Sequence, residues 1–319
     1  MAPERDVAQG LEAALDAVVG LSARIPEGAF TADILGRERA GNAVVISPEG
    51  VVATVGYLIT EATEVWLTTR DGRSVPAHVL GFDQDSGIGL VQALTRDPLP
   101  FVELGDSEDA VPGREVIVAG HGGKSQTVAA TVAGRREFAG YWEYVLDEAI
   151  FTAPAHPNWG GTAVLGTDGR LLGIGSLHVG HRNDDGTSLD LNMVIPINLL
   201  KPVLADIVAF GRAQRPVRPW LGIYASDEGG RITIMGASAR GPAARAGLRR
   251  GDVVRAIGDV AGDVAVLGRP AVAFIVQAPA IIAGAREHIH DRHVRLAGHD
   301  QVEGRLRGHG GAVDEEDDA

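Results

Sequence analysis

Ala155-His156-Pro157-Asn158-Trp159-Gly160-Gly161 is the stretch from which the fold is read. An apolar strand candidate, residues 149–153, precedes it, and a strand–turn–strand, residues 162–175, follows it. Working outward, short β-prone runs alternate with turns from Ala40 to about Pro196. Runs 41–47, 51–59, 64–69, 75–81, 87–93, 115–120 and 127–135 read as strands, with turn signals at Pro48-Glu49-Gly50 and at Asp71-Gly72. Many short strands at this spacing predict a sandwich or barrel, and the absence of long helices between them argues against a doubly wound fold.

Upstream, residues 8–24 read as one amphipathic helix packed on the barrel, with Leu11, Leu15, Val18 and Val19 on one face and Glu12 and Asp16 opposite. Downstream, Asn198 is the expected N-cap of a closing helix and Gly211 its stop. The expected domains are an N-terminal helix and lead-in (1–39), a β domain (40–211), a proline-bearing linker (212–219), a second small domain (220–285) and a disordered acidic tail (286–319) ending in Asp314-Glu315-Glu316-Asp317-Asp318.

Composition narrows the function. With 45% hydrophobic and 22% charged residues, the 319-residue chain has enough apolar content for packed cores rather than disorder. A net charge of −13 argues against nucleic acid or an anionic membrane as the main partner. There is no cysteine, which excludes disulfides, thiolate metal sites and a cysteine nucleophile. His288, His290, His293 and His299 lack carboxylate or cysteine ligands at metal-site spacing, so no metal or other cofactor is expected. The first thirty residues carry no basic start followed by an unbroken apolar run, and residues 271–285 are too short to span a bilayer, so a cytoplasmic location is expected.

Local order adds a resemblance. Gly41-Asn42-Ala43-Val44-Val45-Ile46-Ser47-Pro48-Glu49-Gly50 is similar to the G-S-G-V-I-I-S-P-D-G of HtrA/DegP-like serine proteases. Leu99-Pro100 with Leu104-Gly105-Asp106-Ser107 resembles that family's L-P-x-x-x-L-G-D-S, and Val194-Ile195-Pro196-Ile197-Asn198 resembles its A-I-P-I-N. The opening stretch is similar to its nucleophile loop, P-G-N-S-G-G-P, with Asn158, Gly160 and Gly161 matching. The resemblance implies a mainly β fold: a trypsin-like double β-barrel followed by a partial PDZ-like domain, in which Trp220, Leu221, Gly222 and Ile223 stand where the peptide-binding loop would be. The second wall of that groove should fall within 264–277, where Gly268 and Pro270 break a helix, so PDZ-type binding is expected to be weak or absent.

The same resemblance implies that the family's chemistry is missing. A serine protease needs a hydroxyl nucleophile, an imidazole base, a carboxylate that orients it and backbone donors for the oxyanion. Tyr57 stands at the histidine position, Gly87 at the aspartate position and Trp159 at the serine position. A phenol of pKa about 10 does not shuttle protons near neutrality, and indole has only an N–H donor. Pro157, at an oxyanion-donor position, has no N–H, and one such donor contributes about 3–4 kcal/mol to transition-state stabilisation. Asp85, Ser86, His121, His156, Ser176 and His178 lie near these positions and read as hydrogen-bonded loop or surface residues. Trp159 reads either as a buried plug or as an aromatic recognition floor, the plug being preferred. The resulting expectation is an inactive protease-like protein binding a peptide or unfolded protein segment. The alternatives are an active serine endopeptidase with a rearranged site and a structural subunit of a homo-oligomer, a trimer by analogy with the family.

Overall fold

The computed structural model describes residues 10–140, 144–182, 188–215, 221–228, 231–239, 241–254 and 302–303. Two barrels dominate it. The first is closed in the order β1 (Val18–Arg24), β2 (Glu38–Val45), β3 (Val51–Val55), β6 (Ile88–Ala93), β5 (Ser74–Phe82), β4 (Glu64–Thr68). The second runs β10 (Ala163–Leu165), β7 (Glu115–Ala119), β8 (Thr127–Ala139), β9 (Val145–Ala153), β12 (Ser188–Pro196), β11 (Leu171–Arg182), and the β10–β11 pairing closes it. This is the trypsin-like double barrel that the resemblance implies.

The amphipathic helix expected over 8–24 does not extend so far. A short helix, α1, covers residues 10–16, and the chain then becomes β1, which pairs antiparallel with both β2 and β4; a helical turn, α2 (Ala32–Leu35), lies between β1 and β2. The reason is periodicity. From Val19 onward the buried residues Val19, Leu21 and Ala23 alternate with Gly20, Ser22 and Arg24, a period of two that only a strand satisfies. The first barrel therefore begins at Val18, within what reads as a lead-in. The run 51–59 is also shorter as a strand than expected. It ends at Val55, and Gly56–Ile59 forms a helical turn, α3, whose first N–H donates to the Gly87 carbonyl at 2.7 Å.

The core is built from branched side chains. Val44, Val52, Leu67, Ile88 and Leu90 fill the first barrel, and Val116, Val118, Val132, Ile150, Val164 and Val194 pack in the second. Asn198 is not a helix N-cap. It lies in a 3-10 turn, Ile197–Leu199, and its amide donates to Asp106 Oδ1 at 2.6 Å. The closing helix α4 (Leu204–Phe210) starts after Val203 and stops at Gly211, which is left-handed at φ 74° as expected for a helix terminus.

Beyond the barrels, β13 (Ile223–Glu228), β14 (Arg231–Ala237) and β15 (Val253–Val254) form a three-stranded sheet, and Ile223, Ile234 and Ala243 make its small core with the helical turn α5 (Pro242–Arg245). Trp220 and the groove wall expected within 264–277 lie outside the described residues, as does the tail of 286–319 apart from Val302–Glu303, which pairs beside Gly180 and His181.

Candidate functional site

The loop 156–161 is held by buried polar side chains from both barrels. His156 is 1% exposed, and its N–H donates to Asn192 Oδ1 at 2.6 Å while Asn192 Nδ2 donates back to its carbonyl at 3.2 Å. The Asn158 N–H donates to His156 Nδ1 at 3.1 Å, so Nδ1 is a lone-pair acceptor. The ring proton is then on Nε2, which donates to the Gln126 carbonyl at 3.1 Å. Both ring nitrogens are engaged by the backbone, which gives this histidine a structural task.

Asn42, on β2 of the opposite barrel, does more. Its Nδ2 donates to the carbonyls of Asn158 (2.8 Å) and Gly160 (3.1 Å), its own N–H also donates to Gly160 (2.8 Å), and its Oδ1 accepts from the His121 N–H (2.8 Å). One buried amide thus joins the first barrel to two loops of the second. The Thr54 hydroxyl donates to the Asn42 carbonyl at 2.8 Å and fixes that strand in turn. The only sequence signal for this role was a polar residue at the head of an apolar run.

Of the four positions singled out from the resemblance, Pro157 and Trp159 lie in this loop and Tyr57 and Gly87 belong to the first-barrel half of the chain. Tyr57 sits on α3, its carbonyl accepting from Arg39 Nη1 at 2.6 Å and its hydroxyl donating to the Ser176 carbonyl at 2.6 Å. Arg39 is itself buried, and burial pushes its guanidinium down to about 10 against the opposing charge of Glu61. Gly87 is buried at φ 78°, and a Cβ there would lie 2.1 Å from Tyr144 Cε1. The tyrosine ring therefore occupies the space a side chain at position 87 would need, and its hydroxyl is hydrogen-bonded to Ser176 Oγ. Sequence reasoning did not find Tyr144, since nothing in its local pattern marks it. Both phenols converge on Ser176, which is fully buried and lies at a bulge in the β11–β12 ladder.

Trp159 is half-buried, with its indole tilted against the His178 ring at 5.3 Å between centroids. The indole is thus a partly exposed wall rather than a ring enclosed on all sides. Accordingly, Trp159→Ala is expected to lower stability by about 1–2 kcal/mol, less than the ~3–5 kcal/mol for loss of a fully buried tryptophan. Urea denaturation checks this: a loss above that range would mean the ring is closed off from solvent. Pro157 is exposed and brings no N–H to the loop.

The other candidates are engaged elsewhere. The His121 ring meets the Thr69 carbonyl at 3.2 Å, His178 Nε2 faces Asp190 at 3.8 Å, and Asp85 is paired with Arg215 at 2.6 Å. The Ser86 N–H donates to Asp83 Oδ2 at 3.1 Å, and Ser86 Oγ accepts from the Ile88 N–H at 3.3 Å. None of these contacts is a serine–histidine or histidine–carboxylate pair at nucleophile-activating distance. In the small C-terminal sheet, Gly222 is at φ 70°, Leu221 accepts the Ala243 N–H at 2.9 Å, and Ile223 is buried.

A model of the trypsin-like peptidase domain matches residues 41–174. A probable periplasmic serine endoprotease DegP-like from Rickettsia prowazekii is 25% identical over 236 residues, which is 69% of this chain and 45% of that one. Protease Do-like 1, chloroplastic, from Arabidopsis thaliana is 27% identical over 70% of this chain and 53% of its own length. Serine endoprotease DegS from Haemophilus influenzae is 27% identical over 67% of this chain and 63% of its own. The chain spans about half the length of the first two of these relatives. Among solved structures, the HtrA-type protease AlgW with tripeptide superposes with a TM-score of 0.52 at 24% identity, over 79% of this chain and 82% of that one, a likeness of fold.

Barrels, loop and comparisons together define a trypsin-fold, serine protease-like protein. Within that class the chain is HtrA-like, similar in sequence to DegP-like and DegS proteases at 25% and 27% identity. The expected cytoplasmic location does not stand. Relatives from Rickettsia, Salmonella typhimurium and Escherichia coli are named as periplasmic, which points outside the cytoplasm. The expectation rested on the composition of the first thirty residues, which does not decide location.

Proposed function

We propose that this HtrA-like chain is catalytically inactive and works outside the cytoplasm, binding extended peptide or an unfolded segment of a partner protein. The observation that carries the reading is the refilled centre. Phenols of Tyr57 and Tyr144 meet at Ser176 where the resemblance calls for an imidazole and a carboxylate, beside an indole and a proline where it calls for a hydroxyl and an N–H donor. A tyrosine hydroxyl that donates to a backbone carbonyl has its proton committed and offers no base.

Peptide binding is supported by the open flank of β11. β10 pairs with it at Leu171–Ile174, the loop bonds Gly175 through Gly161 and Thr162, and Val302–Glu303 pairs at Gly180 and His181, so the stretch without a strand partner on this flank, among the described residues, is Ser176–Val179. An extended chain can add to such an edge through main-chain hydrogen bonds. Neighbouring HtrA-type protease structures are described with a tripeptide or a decapeptide.

Two measurements test the reading. A fluorophosphonate probe should label no serine; robust labelling of one serine would overturn inactivity. Trp159→Ser alone should leave casein hydrolysis at the wild-type background, because Tyr57, Gly87 and Pro157 still supply neither base, orienting acid nor oxyanion donor. Hydrolysis well above that background would mean that the catalytic positions lie elsewhere.

A further inference from the structure

The bulge at Ser176 has a second meaning, which rests on the peptide-binding reading. Gly175 pairs with Val194 and Leu177 with Met193, so Ser176 is the residue the β11–β12 ladder skips. Its carbonyl is satisfied instead by the Tyr57 hydroxyl at 2.6 Å. This carbonyl lies just past the segment of β11 that β10 covers, where the open edge begins. The Tyr57 hydroxyl is also next to the loop, 3.0 Å from where a Cβ on Gly160 would stand. Tyr57 is half-buried and Ser176 wholly buried, so an incoming chain meets the phenol before it meets the carbonyl.

We infer that Tyr57 is a gate on this edge: its hydroxyl occupies the first main-chain acceptor of the open β11 edge, and an extended peptide must displace it with a backbone N–H of its own. The exchange is one donor for another at the same oxygen. Tyr57 is held for this task from behind, since Arg39 clamps the carbonyls of Tyr57 and Thr60 at 2.6 and 3.0 Å and fixes the turn that carries the ring. Tyr144 serves a different end: its hydroxyl is hydrogen-bonded to the Ser176 side chain. The two phenols are therefore separable by mutation, although both touch one residue.

The experiment is fluorescence-polarisation titration of an array of fluorescein-labelled decapeptides against the full chain and its Tyr57→Ala, Tyr57→Phe and Tyr144→Phe variants, each checked for folding by circular dichroism. Freeing a main-chain acceptor should tighten the best peptide about fivefold in Tyr57→Ala, the equivalent of one net hydrogen bond. Tyr57→Phe should move in the same direction and decides the matter if the alanine variant does not fold. Tyr144→Phe should give no gain. Wild-type binding with no gain in either Tyr57 variant, or an equal gain in Tyr144→Phe, overturns the gate and leaves the peptide-binding reading standing. No binding by any of the proteins overturns both. Binding by the Tyr57 variants alone supports the gate in its strongest form.

Discussion

Gly161→Ala is expected to cost about 4 kcal/mol of stability, a large share of the roughly 5–15 kcal/mol of an ordinary domain. Two penalties combine. Gly161 is at φ 79°, a region that costs a residue with a side chain about 1–3 kcal/mol. A Cβ there would also lie 1.8 Å from the Asn42 carbonyl oxygen, 2.7 Å from its carbon and 2.8 Å from Thr54 Oγ1. The first two atoms are backbone and cannot swing aside. Moving them breaks the Thr54–Asn42 bond and the Asn42–Gly160 bond at once. Gly134→Ala, where a Cβ would meet nothing within 4 Å, is the control and should be nearly neutral. Urea midpoints for the two variants check the claim, and equal midpoints would refute it.

The second large effect concerns restoring an acid. Gly87→Asp supplies the carboxylate that the resemblance lacks, yet it is expected to destabilise the protein by about 3 kcal/mol rather than help it. The new Cβ would meet Tyr144 Cε1 and Cδ1 at 2.1 and 2.2 Å, and the backbone at φ 78° adds its own strain. Aspartate tolerates that backbone better than most residues, so the ring clash is the larger share. Adding Tyr144→Ala should therefore recover part of the loss, and the two changes should couple by more than about 1 kcal/mol in a double-mutant cycle. Strict additivity would show that Tyr144 does not fill the vacated position. On the proposed reading, rebuilding a protease in this scaffold would take changes at five positions, Tyr57, Gly87, Tyr144, Pro157 and Trp159, because Tyr144 fills the space a side chain at 87 would need.

The barrel, its strand positions and the unusual residues at 57, 87, 157 and 159 were legible in the sequence. Strand alternation is local, and the family-like motifs stand in order along the chain. β1 was misread because Leu11, Leu15, Val18 and Val19 happen to fit a helical spacing, whereas the alternation that decides the matter begins only at Val19. Asn42 and Tyr144 were not legible as parts of the site. Their partners are 116 and 32 residues away, and no local pattern reports a hydrogen bond between such distant segments. Trp159 was legible as a departure, but its degree of exposure depends on His178 from another strand.

The way β1 closes the first barrel bears on how the protein can be cut. The peptidase-domain match begins at residue 41, which invites trimming the chain there. A chain so trimmed would lose all of β1 and the first three residues of β2, and the strand that remains of β2 would face β4 across a missing partner. Two rows of unpaired amides and carbonyls would then be exposed beside the apolar lining that Val19, Leu21 and Ala23 had sealed. Such edges recruit other chains. Insolubility of a fragment starting at Gly41 would accordingly report an opened barrel, and a soluble minimal fragment has to keep the residues from Val18 onward.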